Sequence, residues 1–224
     1  MLKWKGIDFR DKGIIVEKTP AISKGKKNID VYTIPGRNGF LSVDNGTYEE
    51  FVVSVECHFN STNYSFDKVK EFLDGYGTLS FDGLKEYTAI INNSISFEKI
   101  ENFKKFIVQF LVNPIAEDIV ETSLTIDETS ANIDIDKATA TMYPTLEITG
   151  SGDVSATINN KTFYLKGING KCILDCKNKV ITSNGINISN KMLNDFPTLQ
   201  PGSNSISMIG TVTAFVIKFK RAYL

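Results

Sequence analysis

Residues 31–59 read V-Y-T-I-P-G-R-N-G-F-L-S-V-D-N-G-T-Y-E-E-F-V-V-S-V-E-C-H-F, and the second half of this stretch alternates almost without error. Phe51, Val53, Val55, Cys57 and Phe59 fall on one side, with Glu50, Val52, Ser54, Glu56 and His58 on the other. A period of two sustained over that length predicts a long strand with one face in a core. Ahead of it, Pro35-Gly36 and Asn38-Gly39 share one short segment and Asn45-Gly46 follows. Such pairs favour positive φ, so the segment reads as a run of tight β connections. Turns of this kind occur in any antiparallel domain and by themselves assign no function.

Working outward, residues 7–9, 13–16 and 29–34 are short apolar segments separated by charged connections, and they read as strands and loops. The polar run at residues 60–63 ends the central strand. Residues 65–74 then place Phe66, Val69, Phe72 and Leu73 at helical spacing with Gly75 as the stop, which predicts one helix covering a sheet face. Residues 77–83 read as a strand entering an Asp-Gly turn, and residues 86–91, 94–100 and 104–112 as further strands. Phe106, Val108, Phe110 and Val112 line one face of the last. Asn113-Pro114 is expected to close this unit, because proline cannot continue a central strand.

Residues 115–142 are less regular and more acidic, and read as a linker plus the first strand of a second domain. Asp134 and Asp136 could pair on calcium, but I-D-I-D is also the alternation of a solvated edge strand, which is the preferred reading. From Tyr143 the text is all β: residues 145–149, 154–158, 162–167, 171–175, 179–181, 186–188, 205–209 and 211–219, with turn signals at residues 150–153, Asn159-Asn160, Asn169-Gly170 and Asn184-Gly185. Short strands at that spacing predict a sandwich.

Composition narrows the functional classes. A chain of 224 residues, 42% hydrophobic and 23% charged, suits two modest globular domains or one large β domain. A net charge of -1, with three arginines (Arg10, Arg37, Arg221) among 25 basic residues, argues against a broad nucleic-acid surface. No apolar run approaches the roughly 20 residues that span a bilayer, and the start has no apolar h-region, so a soluble chain without a secretory signal is expected. Cys57, Cys172 and Cys176 are too few for a disulfide framework. On one strand, Cys172 and Cys176 would lie roughly 13 Å apart, beyond disulfide reach, and all three are expected to be reduced and structural.

Catalytic constellations are scarce. His58 is the lone histidine, so any Ser-His-Asp or Cys-His arrangement must use it, yet it sits inside the long strand where a solvent-facing or cross-strand role fits better. Three cysteines and one histidine are a poor zinc set. No glycine-rich phosphate-binding motif is present. Glu49 and Glu50 point to opposite faces with no glycosidase partner in view. No catalytic, cofactor-binding or metal residue is assigned. The basic loop Lys24-Gly25-Lys26-Lys27 reads as a solvated hairpin tip, whereas Arg37 sits in a tight turn that presents its fork outward. On residues alone the chain is a soluble, two-domain, β-rich binding or assembly protein.

Four passages in order resemble the distal tail protein of long-tailed bacteriophages and related tail-like particles. They are I-P-G-R-N-G with the strand that follows (residues 34–59), F-L-D-G-Y-G-T-L-S-F-D (72–82), F-L-V-N-P (110–114), and Y-P-T-L-E-I-T-G (143–150) answered by D-F-P-T-L-Q-P-G-S-N-S-I (195–206). The resemblance implies a mainly β chain. Its residues 1–118 would be an α+β ring-forming domain, an antiparallel sheet plus one helix, and residues 119–224 a galectin-like β-sandwich. It implies a hexameric ring below the tail tube, around the channel through which DNA leaves, with the sandwich as an attachment point for adhesion proteins. The implied partners are further copies of the chain, the tail tube protein, the tail-tip hub protein and receptor-binding proteins, with no specific nucleic-acid binding and no membrane. The implied location is the distal end of the virion tail, after synthesis in the bacterial cytoplasm, and the implied role is structural rather than enzymatic.

A ring needs a heterologous interface, and Pro35, Gly36, Arg37, Asn38 and Gly39 form the candidate assembly turn. Residues 119–224 hold no tryptophan or histidine and only one arginine, Arg221, so the sugar-reading constellation of galectins cannot be rebuilt there. Tyr143, Phe163, Tyr164, Phe196, Phe215, Phe219 and Tyr223 are expected mostly to fill the core. The alternative reading is a carbohydrate-binding module or glycosidase accessory domain.

Overall fold

The alternation at residues 51–59 becomes the centre of a core. In a computed structural model, which describes residues 2–60, 64–91, 93–100 and 102–224, the chain divides into two compact units, Met1–Ala116 together with Leu224, and Glu117–Tyr223. The polar run expected to end the central strand begins at Asn60, and its residues 61–63 lie outside the described residues. The first unit contains β1 (Lys3–Trp4), β2 (Ile7–Asp8), β3 (Ile14–Val16), β4 (Lys27–Tyr32), β5 (Leu41–Tyr48), β6 (Phe51–Asn60), α1 (Phe66–Phe72), β7 (Gly75–Ser80), β8 (Lys85–Ile91), β9 (Glu98–Ile100) and most of β10 (Phe103–Asp118). One sheet takes the order β2-β1-β7-β8-β10-β6-β3, with β9 also paired to β10, while β4 and β5 pair only with each other.

β6 and β10 run antiparallel from Phe51 opposite Val112 to Asn60 opposite Phe103. Val53, Val55, Cys57 and Phe59 of β6 are buried with Phe106, Val108, Phe110 and Val112 of β10. Each such side chain contributes roughly 1.5–3 kcal/mol by leaving water. α1 lays Val69, Phe72 and the following Leu73 into the same cluster, as its spacing predicts. Phe66 stacks on Phe59 at 6.4 Å, and Trp4 meets Phe110 at 5.1 Å. The helix stops at Phe72, and Gly75, with φ +66°, turns the chain into β7.

Two turn assignments in this unit are corrected. β10 does not close at Asn113-Pro114 but continues through Pro114 to Asp118. Its ladder with β6 ends at Val112, so the missing proline N–H falls beyond the last β6 pair and interrupts nothing there. Asn45-Gly46 is not a hairpin turn but part of β5, where the register with β4 shifts between Lys27 and Ile29. Gly46 has φ +69° and donates its N–H to Asp44 Oδ1 at 2.9 Å, so this is a bulge.

The second unit holds β11 (Thr122–Ile126), β12 (Ser130–Ile135), β13 (Thr145–Ile158), β14 (Lys161–Asp175), β15 (Val180–Ser183), β16 (Ile186–Asn187), β17 (Met192–Leu193), β18 (Gly202–Phe219) and β19 (Ala222–Tyr223). β11 and β12 occupy much of the stretch read as a linker plus the first strand of a second domain, and both pair with β18. Asp134 is exposed on β12, which pairs with β18 alone, and Asp136 lies 3.4 Å from Arg221.

Several expected short strands prove to be halves of long ones. β13, β14 and β18 run through the turn signals at residues 150–153 and at Asn169-Gly170, and the β13 register shifts at Gly150 and again before Ser155. A Cβ on Gly150 would lie 2.3 Å from the Thr211 carbonyl oxygen, and one on Gly210 would lie 2.6 Å from that of Asp153. These glycines let two strands cross closely where they bulge, and the antiparallel sheet curls there instead of ending. Asn159-Asn160 and Asn184-Gly185 are true two-residue turns, both residues of each having positive φ.

Candidate assembly hairpin

β4 and β5 stand apart from the core strands in one respect: nothing in the described chain covers them. From Ile29 to Thr47 every residue is exposed. The register sets Tyr32 opposite Leu41 and Asp30 opposite Val43 on one face, and Ile29 opposite Asp44 and Val31 opposite Ser42 on the other. Phe40 at the tip is 66% exposed and Val31 59%, and Tyr32, Leu41, Val43 and Ile29 are each about half exposed. A lone two-stranded ribbon is marginal in water, and one with apolar side chains on both faces has no core of its own.

The root of the hairpin is pinned. Gly25 is buried, and a Cβ there would lie 2.6 Å from both the Glu49 carbonyl oxygen and Pro114 Cβ. Lys27 pairs with Asp44, Lys26 reaches Glu49 at 3.4 Å, and the Asn28 amide donates to Thr47 Oγ1 at 2.9 Å. The Lys27 ammonium, helped by the Gly46 N–H, holds the Asp44 carboxyl below its usual range, and Asp44 in turn raises Lys27. At the tip Gly36 and Gly39 have φ +82° and +89°, and the Arg37 N–H donates to the Ile34 carbonyl at 3.1 Å. Pro35, Gly36, Arg37, Asn38 and Gly39 are all exposed. Arg37 has no ion pair among the described residues, unlike Arg10 and Arg221.

The remaining singled-out residues have structural partners. His58 Nδ1 lies 3.2 Å from Glu17 Oε1 across the β3–β6 pair, and Lys105 Nζ lies 2.8 Å from Glu17 Oε2. Lys105 above all, then His58, holds the Glu17 carboxyl low against the opposing effect of desolvation. The three cysteines are free and buried, and desolvation pushes the thiols of Cys57 and Cys176 up to about 12, which leaves them protonated at neutral pH. Among the described residues no group of three His, Cys, Asp or Glu could hold a metal ion. Of the aromatics expected in the second core, Phe163, Phe215 and Phe219 are buried, whereas Tyr143 and Tyr164 are exposed. Phe196 and Tyr223 are intermediate.

Sequence reasoning missed the nakedness of β4 and β5. Val31, Leu41 and Val43 look like core residues in the sequence, and no local signal marks them as uncovered.

No protein-family model and no curated protein sequence matches this chain. Among solved structures it is similar to the Dit protein (gp 19.1) of SPP1, described as a paradigm of the hub adsorption apparatus in phages that infect Gram-positive hosts. The TM-score is 0.80 at 14% identity, over 100% of this chain and 98% of that one. Along its whole length, therefore, this chain has the mainly β fold of the SPP1 Dit protein.

Proposed function

We propose that the protein is a structural component of a phage tail tip, or of the equivalent part of a tail-like particle: a hexameric hub ring that joins the tail tube to tail-tip and host-adhesion proteins. The observation that carries this is the full-length likeness of fold to a protein of a phage hub adsorption apparatus. The bare hairpin supports it, because a ribbon pinned at its root and apolar on both faces is stabilised only against another surface, and closed rings use such heterologous contacts. Residues 1–118 form the ring, with Pro35, Gly36, Arg37, Asn38 and Gly39 as its assembly turn. Residues 119–224 act as the galectin-like sandwich that receives receptor-binding proteins. The ring sits at the distal end of the virion tail, and DNA passes through its lumen without being read. A net charge of -1 suits passage better than retention.

Light scattering of the purified protein with negative-stain imaging tests this. Six-fold rings are expected, and a protein that stays monomeric at high micromolar concentration contradicts the reading. The sandwich is an adaptor for protein partners rather than a lectin, since residues 119–224 carry no tryptophan or histidine. Tyr143 and Tyr164 are its exposed aromatics, at 53% and 45%. Calorimetric titration of the protein with host cell-wall polysaccharide should show no saturable binding. Binding tighter than millimolar that Tyr164→Ala abolishes without unfolding would favour the carbohydrate-binding alternative.

A further inference from the structure

One carboxylate oxygen of Asp8 is buried without a partner. Its side chain is only 9% exposed. Oδ1 accepts the Arg10 N–H at 2.9 Å and caps the 3-10 turn Phe9–Lys12, with Arg10 Nε 3.7 Å away on a side chain that is 70% exposed. Oδ2 is buried and has no hydrogen-bond partner. An unsatisfied buried carboxylate oxygen is costly, commonly more than the roughly 1–3 kcal/mol of a neutral group, so it calls for a donor. Asp8 lines a recess of about 410 Å³ whose walls include Leu2, Phe9, Ile14, Pro20 and Phe81, with Glu17 a second carboxylate at the same recess. Glu17 is already held by Lys105 and His58, so the oxygen left without a partner is that of Asp8; apolar walls beside it suit a cation carried on a hydrocarbon stem, and among such cations a planar fork best matches a carboxylate.

We propose that this recess receives Arg37 from the hairpin tip of a second copy of the chain, with the exposed Ile34 and Phe40 beside it meeting the apolar rim. Charge complementarity selects the occupant: Arg37 is exposed without an ion pair among the described residues, and the two positive-φ glycines around it hold the turn that presents it. Arg10, whose Nε lies 3.7 Å from Oδ1, swings aside, and the incoming fork spans both Oδ1 and the unpartnered Oδ2 of Asp8. The inference rests on the assembly reading above and names the contact through which that assembly closes.

A double-mutant cycle on the full chain tests it, with association constants from sedimentation velocity and folding checked by circular dichroism. Arg37→Ala lies in an exposed turn, and Asp8→Asn keeps the shape and the capping acceptor. Each should weaken association about tenfold or more, as truncating one partner of a buried charge pair does. Arg37→Lys should recover part of the loss. The double variant should be no weaker than the worse single variant, because both remove one contact. Additive losses, or an Arg37→Ala chain that associates like the parent, would overturn the Asp8 contact while leaving assembly standing. A parent chain that never associates would overturn both.

Discussion

β5 and β6 are neighbours in the chain and look alike on paper. Leu41-Ser42-Val43-Asp44 at the start of β5 alternates as β6 does, yet β6 buries Val53, Val55, Cys57 and Phe59 while β5 buries nothing between Leu41 and Thr47. The difference lies in their neighbours. β6 sits between β10 and β3 with a helix over one face, whereas β5 has only β4. A strand's pattern states which side could be buried, and the surroundings determine whether it is. Here one strand serves the stability of the chain, and the other is left uncovered among the described residues.

The sharpest way to break this comparison is to truncate both strands. Phe59→Ala, which empties the space between Phe66, Phe97 and Phe106, should destabilise the first unit by about 3–5 kcal/mol in urea unfolding. A loss below about 1 kcal/mol would mean that β6 is not the core strand described here.

Next in size is the tip. Gly36→Val with Gly39→Val forces a β-branched residue into left-handed backbone at two positions, at roughly 1–2 kcal/mol each if the tip keeps its shape. No atom lies within 4 Å of either new Cβ, so the strain is conformational and the tip is expected to remodel. Ring formation should fail while the unfolding midpoint of the first unit falls only slightly. Normal rings at parental concentration would exclude this turn from assembly.

Smaller still is the effect of Val31→Ser with Phe40→Ser on the isolated chain. Both side chains are solvated there, so stability should change by no more than about 0.5 kcal/mol, although rings should weaken markedly. A large destabilisation of the monomer would show that the hairpin already packs on its own chain.

The smallest expected effect is that of pH at the hairpin root. Asp44 is depressed, so its pairing with Lys27 is fully present above the ordinary carboxylate range and is lost as pH falls through the folded value. Lys27 is raised, so its share persists from below its ordinary value and disappears as pH rises through the higher folded one. Between those limits the root is held. Amide exchange, corrected for intrinsic rates, should show β4 and β5 fraying below the carboxylate range while β6 amides stay protected, and Asp44→Asn should bring the fraying to neutral pH.

What the sequence determined by itself was local and periodic. The period of two at residues 51–59 and 106–112 specified which faces of β6 and β10 enter the core, because side chains in a strand alternate whatever lies beyond it. The helical spacing of Phe66, Val69 and Phe72 specified α1 in the same way, and the two-residue turns at Asn159-Asn160 and Asn184-Gly185 were legible because only residues tolerant of positive φ fit them. What only the tertiary structure decided was contact between distant residues. Gly150 and Gly210 look like turn residues, but the close approach of Thr211 and Asp153 carbonyls makes them bulges within long strands. Pro114 looks like a terminator, but the β6 ladder has already ended. The candidate site follows the same division: Gly36 and Gly39 announce a turn in the sequence, whereas the uncovered faces of β4 and β5 and the unpartnered oxygen of Asp8 are facts about what is missing nearby. A sequence records the residues a chain has and cannot by itself say which of them the fold leaves without neighbours.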